Sequence, residues 1–262
     1  NTTGTNGVGT TVLCYTSEFF KITSFHDGKA HEMIFENGGE ITTPLYSVDC
    51  PPNHHGTIIT FRLDESIYTE TTYTSDEVEE IVKHFAVGSN KVALAYNHNQ
   101  VRKEYHYNDL LDYYNELAAN QSTSPVVYAP NHAYEEEDGE ITQIALALST
   151  CTEPIQETYL NLTYLSEGGK INEGIVNGIK LFANKYCKDN KLFPKGITSF
   201  ATSDIEESVS FIATTLSSNV EFQNQTKLST QKALYKKIAQ KHTTQLMEIF
   251  KIEDEAGLKK FM

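Results

Sequence analysis

Residues Thr158–Tyr186 read TYLNLTYLSEGGKINEGIVNGIKLFANKY, and the period of the apolar residues changes halfway along. TYLNLTYLS has the β-branched and aromatic content of a strand. In NEGIVNGIKLFANKY, by contrast, Ile175, Ile179, Phe182 and Tyr186 recur at helical spacing, giving a helix with an apolar stripe. Working outward, ITQIALALS places Ile144, Leu146 and Leu148 on one strand face after an acidic turn, EEEDGE. SVSFIATTLS is a late strand, and the Lys-rich helix behind it carries Leu234, Ile238, Leu246 and Ile249 as a thin seam.

The first half repeats the alternation. KAHEMIFENG predicts a half-buried strand through Met33 and Phe35 that ends at Asn37-Gly38-Gly39. GTIITFRL places Ile59, Phe61 and Leu63 on one strand face. TSDEVEEIVKHFAV predicts a helix with Val78, Ile81, Val82 and Phe85 inward and a capping box of Thr74 and Glu77. NDLLDYYNEL starts a short helix behind Asn108. The small, polar and Pro-containing run Ala118–Asn131 marks a boundary. The expected fold class is α+β, in two units, 1–118 and 119–262.

Bulk properties narrow the function. A chain of 262 residues with 39% apolar and 11% aromatic content can build a core. No apolar run is long enough to span a bilayer and no secretory pattern opens the sequence, so the expectation is a cytoplasmic protein with no membrane partner. Four scattered cysteines without a C-x-x-C pair read as free thiols in a reducing compartment. The net charge of −14 argues against a surface that coats nucleic acid. From Lys227 onward, however, eight lysines stand against four acidic residues, which suits local contact with DNA or an acidic neighbour.

Two segments can carry chemistry. GTNGVG, Gly4–Gly9, has glycines that let main-chain amides approach an anion, and TTVLCYTS behind it can start a helix whose N-terminus favours negative charge. FQNQTK, Phe222–Lys227, presents a lysine in an amide- and hydroxyl-lined loop, suited to phosphate oxygens. Cys50, His54 and His55 in CPPNHHG lack a fourth ligand and read as a surface turn. The acidic run Glu135–Asp138 reads as a solvated turn tip.

In order and spacing these pieces resemble the ATPase region of type IIA DNA topoisomerases, the family of gyrase B and its topoisomerase IV counterpart. GTNGVGTTVLCYTSEF is similar to the lid motif of a GHKL (Bergerat) ATP site. HDGKAHEMIFENGG, TPL and GTIITFRLDESIY resemble the strand-rich stretch at its adenine end. TYLNLTYLSEGGKINEGIVNGI resembles the transducer's E-G-G-x-x-x-x-G segment, and VEFQNQTKLS its Q-T-K loop. The resemblance implies the C-terminal part of a GHKL α/β sandwich (1–118) followed by a transducer of ribosomal S5 domain 2-like type (119–262).

It also implies roles. Gly4, Thr5, Asn6, Gly7, Val8 and Gly9 would wrap the triphosphate of ATP. Thr57 would hydrogen-bond near the adenine. Gln225 and Lys227 would contact the γ-phosphate as the groups that couple hydrolysis to movement. The family's catalytic glutamate, Mg²⁺-binding asparagine and D-x-G-x-G motif precede the lid, so Mg²⁺ is expected on an upstream segment and this portion alone is expected to be inactive. Implied partners are DNA, a second ATPase region in a homodimer, and a gyrase A-like cleavage protein or downstream domains, in the cytoplasm or on the nucleoid. Lys170-Ile171 stands where the family has Thr-His, and Glu206-Glu207-Ser208 where it has Arg-Glu-Gly, departures that resemble a phage- or plasmid-type member in a host cytoplasm. Two other readings are a non-catalytic GHKL-derived dimerisation module and a MutL-like protein, the latter lacking a Q-T-K loop at this place.

Overall fold

Backbone contacts divide the chain into two units, Gly4–Thr74 and Ser75–Met262, in a computed structural model that describes residues 7–89, 92–98, 100–136 and 139–262. The first unit opens with α1 (Gly9–Tyr15) and continues as an antiparallel sheet of β1 (Ser17–His26), β2 (Lys29–Glu36), β3 (Glu40–Asp49) and β4 (Gly56–Leu63), ordered β3-β2-β1-β4. Asp27 and Gly28 both take positive φ (49° and 70°), the two-residue turn whose twist matches a hairpin. The turn expected at Asn37–Gly39 is present, with all three residues at positive φ.

Register explains the character of each face. Phe20 pairs with Phe35 and Phe61, and Ile22 with Met33 and Ile59, so one face is apolar. On the other, Lys21 Nζ lies 2.7 Å from Glu32, and Thr23 and Tyr46 donate to the same carboxylate. These bonds, Lys21 foremost, hold the Glu32 carboxyl down at about 2. GTIITFRL is the strand expected, but of its inward set only Leu63 is buried. Ile59 and Phe61 remain 41% and 38% exposed. β4 is an edge strand, and α1, the one helix among this unit's described residues, is too short to cover four strands.

The second unit begins with α2 (Ser75–Gly88), a hairpin of β5 (Leu94–His98) and β6 (Val101–Tyr105), and α3 (Leu110–Leu117). Next come β7 (Val127–Glu135), β8 (Ile141–Thr150), β9 (Gln156–Leu160) and β10 (Thr163–Tyr164), then the short β11 (Gly168–Gly169), α4 (Lys170–Asp189) and α5 (Thr202–Glu206). β12 (Val209–Ser217), β13 (Ser229–Thr230), α6 (Ala233–Glu253) and α7 (Glu255–Phe261) complete it. Five strands form a mixed sheet ordered β10-β9-β12-β8-β7, in which only β9 and β12 run parallel.

Helices cover this sheet on both sides, and β8 is built for that. Its Ile144, Leu146 and Leu148 join a core with Phe211, Ile175, Ile179 and Ile238 from β12, α4 and α6. Its Ala145 and Ala147 face the other way, against Tyr113 and Tyr114 of α3 and Ala86 and Val87 of α2. Large residues on one face and small ones on the other replace the apolar/polar alternation of a half-exposed strand. The architecture is a mixed α/β fold with helices on both faces of the larger sheet.

Several elements differ in detail from expectation. TYLNLTYLS is a hairpin, not one strand: Asn161 and Leu162 turn at φ 44° and 71°. The Asn161 amide stabilises that conformation by accepting from Ser217 N–H (2.7 Å) and donating to Ser217 O (3.0 Å). α2 begins directly after Thr74, but Ile81 and Phe85 are exposed and Ala86 and Val87 are buried. That helix lies on an aromatic and polar shelf, with His84 stacked on Tyr164 at 4.0 Å and Lys83 over the Tyr105 ring. The α3 cap is Asp109, accepting from Asp112 N–H at 3.0 Å, one residue beyond Asn108. On α6 Ile249 is 50% exposed, and Tyr235, Ala239, His242, Thr243, Met247 and Phe250 widen the seam.

Candidate functional site

The lid segment lies in the first unit. Gly4, Thr5 and Asn6 fall outside the described residues; Gly7, Val8 and Gly9 are within them. Gly7 takes φ +64°, a conformation that suits glycine. Among the described residues, a Cβ at Gly7 or Gly9 would meet nothing within 4 Å. α1 follows as expected, capped by Val8 with no side-chain hydrogen bond. Its far end is tied down: Ser17 Oγ donates to Leu13 O (2.6 Å) and Tyr68 OH to Thr16 Oγ1 (3.0 Å). Between α1 and the apolar sheet face is a cavity of about 270 Å³ lined by Cys14, Tyr15, Phe20, Ile22 and Phe35, among others. Burial pushes the Cys14 thiol up. Thr57 pairs with Ser24 and, two residues before Ile59, belongs to that same face.

The Q-T-K segment lies in the second unit, between β12 and β13. Phe222 packs against the main core, and the Lys227 ammonium sits 5.3 Å from the centre of its ring. Asn224 Oδ1 accepts from Thr226 Oγ1 (2.6 Å) and from Lys227 N–H (3.1 Å), closing a tight turn. Lys227 itself takes φ +59°. Gln225 and Thr226, at the tip, are exposed.

The E-G-G segment supplies the platform for that turn. Gly168 and Gly169 pair in parallel register with Ser229 and Thr230. A Cβ on Gly169, at φ +107°, would collide with the Thr230 backbone. Gly174, the last glycine of the segment, lets α4 meet α6: a Cβ there would lie 2.5 Å from Lys236 O and 2.8 Å from Ala239 Cβ. Lys170 pairs with Glu173, which also pairs with Lys236, and the two lysines hold the Glu173 carboxyl below its ordinary range. Ile171 is fully buried, so an apolar residue at that position completes the core. Glu206 and Glu207 are exposed at the end of α5.

Three features escape a reading of the sequence. Asn224 stands out there only as part of a motif, although Asn in a turn is a recognisable signal. Glu140 is 6% exposed and bound by both oxygens to Lys232 Nζ at 2.7 Å, with Ser217 Oγ donating to it at 3.1 Å; the partners are far apart in the chain and leave no local pattern. His242 is 5% exposed. Tyr134 OH donates to Gln245 Oε1 (2.8 Å), so its oxygen accepts from His242 Nδ1 (3.1 Å), and Nε2 has no partner among the described residues. The described residues contain no group of three metal-ligating side chains and no helix long and apolar enough to cross a membrane.

The comparisons with known proteins agree with one another. The family described as DNA gyrase B matches residues 107–260. The B subunit of DNA topoisomerase 4 from Mycoplasma capricolum is 26% identical over 257 residues, covering 96% of this chain and 39% of that protein. The B subunit of DNA gyrase from Bacillus mycoides is 25% identical, covering 96% of this chain and 62% of its own. The chain therefore spans about two fifths to three fifths of the length of these curated relatives. The topoisomerase IV ATP-binding domain of Francisella tularensis, solved with a small-molecule inhibitor, superposes with a TM-score of 0.75 at 17% identity, over 100% of this chain and 71% of that one. The 43K ATPase domain of Thermus thermophilus gyrase B, solved with an aminocoumarin, gives 0.68 at 19% identity, over 97% and 70%. At those identities the two structures establish the fold.

Proposed function

The chain belongs to the DNA gyrase B family, and on that footing we propose that it is the lid-and-transducer portion of the ATPase region of an ATP-dependent type IIA DNA topoisomerase. Its portions are 1–118, from a GHKL domain, and 119–262, a transducer of ribosomal S5 domain 2-like type. The observation that carries the reading is the turn at Gln225–Lys227, inside the matched stretch and fastened to the family's E-G-G segment.

The residues present suit a nucleotide. Among the described residues nothing crowds Gly7 or Gly9, and they lead into an α1 with no side-chain cap, whose first amides suit phosphate oxygens. Gly4–Gly9 hold the triphosphate and Thr57 the adenine end; Gln225 and Lys227 meet the terminal phosphate. Bound ATP, with its Mg²⁺, would supply the free energy when its terminal phosphate is released. Lys227, a compact cation, binds that phosphate as a point charge. A contact available only before release gives the two nucleotide states different preferred arrangements, which is what a clamp needs. The whole protein would act on DNA as a homodimer, with a gyrase A-like protein or equivalent domains, in the cytoplasm. The exposed Ile59 and Phe61 fit the same reading, as a sheet face that the rest of a GHKL domain covers.

The test is Lys227→Ala in the full-length protein. ATP-driven strand passage should fall at least a hundredfold while nucleotide binding stays within about threefold, the signature of an interaction used for coupling rather than affinity. ATP-driven passage at the wild-type rate would refute the assignment.

A further inference from the structure

The turn that carries Lys227 is held at both ends, by groups to which nothing so far assigns a role. Within it, the Asn224 carboxamide accepts from Thr226 Oγ1 and from the Lys227 amide. This side-chain acceptor adds to the Asn224 carbonyl, which accepts from the same Lys227 N–H at 3.2 Å, and supports a left-handed residue. Lys227 needs that support, because φ +59° is costly for a residue with a Cβ. At the neck of the turn, Gln223 N–H donates to Ser229 O at 3.0 Å, and Ser229 Oγ donates to Gln223 Oε1.

Beyond the neck, Ser229 and Thr230 pair with Gly168 and Gly169, and Glu167 N–H donates to Leu228 O at 2.9 Å. Thr230 is fully buried and its hydroxyl donates to Glu221 O at 2.7 Å. Gly169 is also the residue from which α4 starts. The downstream leg of the turn is thus stapled to the head of a long helix, and only glycine at 169 permits that approach.

We propose that Asn224 and Gly169 are positioning residues for Lys227. Asn224 fixes the direction in which the lysine leaves the turn, and Gly169 fixes the turn to α4, so that the ammonium is presented at one place rather than over a range. This rests on the reading that Lys227 meets the terminal phosphate. A pre-positioned cation contributes to the reaction step, whereas a mobile one must first be ordered.

Steady-state ATPase kinetics of the full-length protein test this with four variants. Asn224→Ala should lower kcat about tenfold with KM within twofold, the size expected from losing one or two neutral hydrogen bonds in the transition state. Asn224→Ser, whose hydroxyl can accept the same bonds, should recover to within about threefold of wild type. Gly169→Ala should lower kcat tenfold or more. Asn224→Ala is a surface change and should leave the melting temperature unchanged, which separates positioning from folding. Unchanged kcat in Asn224→Ala, or Asn224→Ser as slow as Asn224→Ala, would overturn the proposal. Full ATPase activity together with wild-type strand passage in Lys227→Ala would instead remove the reading on which it stands.

Discussion

His242 shows how a single side chain can be hidden from sequence and yet set a measurable property. Burial first, and then the neighbouring His132, holds its imidazole down at about 4 against an ordinary 6.5. Between those values the unfolded chain binds a proton that the folded chain refuses. Its contribution is therefore fully present above pH 6.5 and is lost as the pH falls toward 4, by on the order of 3 kcal/mol in all. Urea unfolding midpoints measured at half-unit steps should decline across that window, and the decline should be shallower in His242→Phe. An equal slope in the variant would show that other groups control it. Nothing local signals this, because a histidine in a Lys- and Gln-rich helix reads as solvated. Its burial depends on Tyr134, more than a hundred residues upstream. Lys227 differs: the Q-T-K spelling marks it as a candidate, whereas its left-handed backbone is supported by Asn224 and by a strand pairing absent from the local pattern.

Among the elements, α4 is the most legible and its packing the least. The stripe Ile175, Ile179, Phe182 and Tyr186 is buried as the spacing requires, since 3.6-residue periodicity survives any choice of partner. What the period cannot convey is that α6 is the partner and that two glycines, Gly174 and Gly178, set the approach. Gly174→Val should cost at least about 2 kcal/mol by overpacking against Lys236 and Ala239. Gly9→Ala, with open space around it, should stay within about 0.5 kcal/mol. Chemical denaturation of both variants checks this, and equal midpoints would contradict the close approach. α2 fails in the opposite sense: its apolar stripe is real, but an aromatic and charged shelf covers a neighbouring face. β9 and β10 merge into one strand on sequence because neither Asn161 nor Leu162 is a glycine, and the turn owes its conformation to Ser217 on another strand.

For the molecule as a whole, a mixture of helices and strands follows from the alternation of periods, whereas the distribution of core does not. Both buried clusters consist entirely of residues between Ala86 and Phe261. Residues 75–262 expressed alone should therefore melt in a single cooperative transition by calorimetry and circular dichroism; a broad, non-cooperative melt would show that the clusters need more of the chain. The unit Gly4–Thr74 has a sheet whose apolar face is only partly covered, which composition cannot reveal because apolar content is a property of the whole chain. By compactness the chain divides after Thr74, upstream of the Ala118–Asn131 run.

The sealed pair of Glu140 and Lys232 has a consequence for ionic strength. Dissolved ions screen charges they can surround, so exposed pairs such as Lys29–Asp49 and Lys259–Glu255 weaken as salt is added. The side chains of Lys232 and Glu140 are 14% and 5% exposed, and counterions have little room beside them. Brine that dissolves any electrostatic grip of the lysine-rich tail on a polyanion should leave the root of α6 anchored, so attraction to such a ligand and integrity of the fold respond to salt independently.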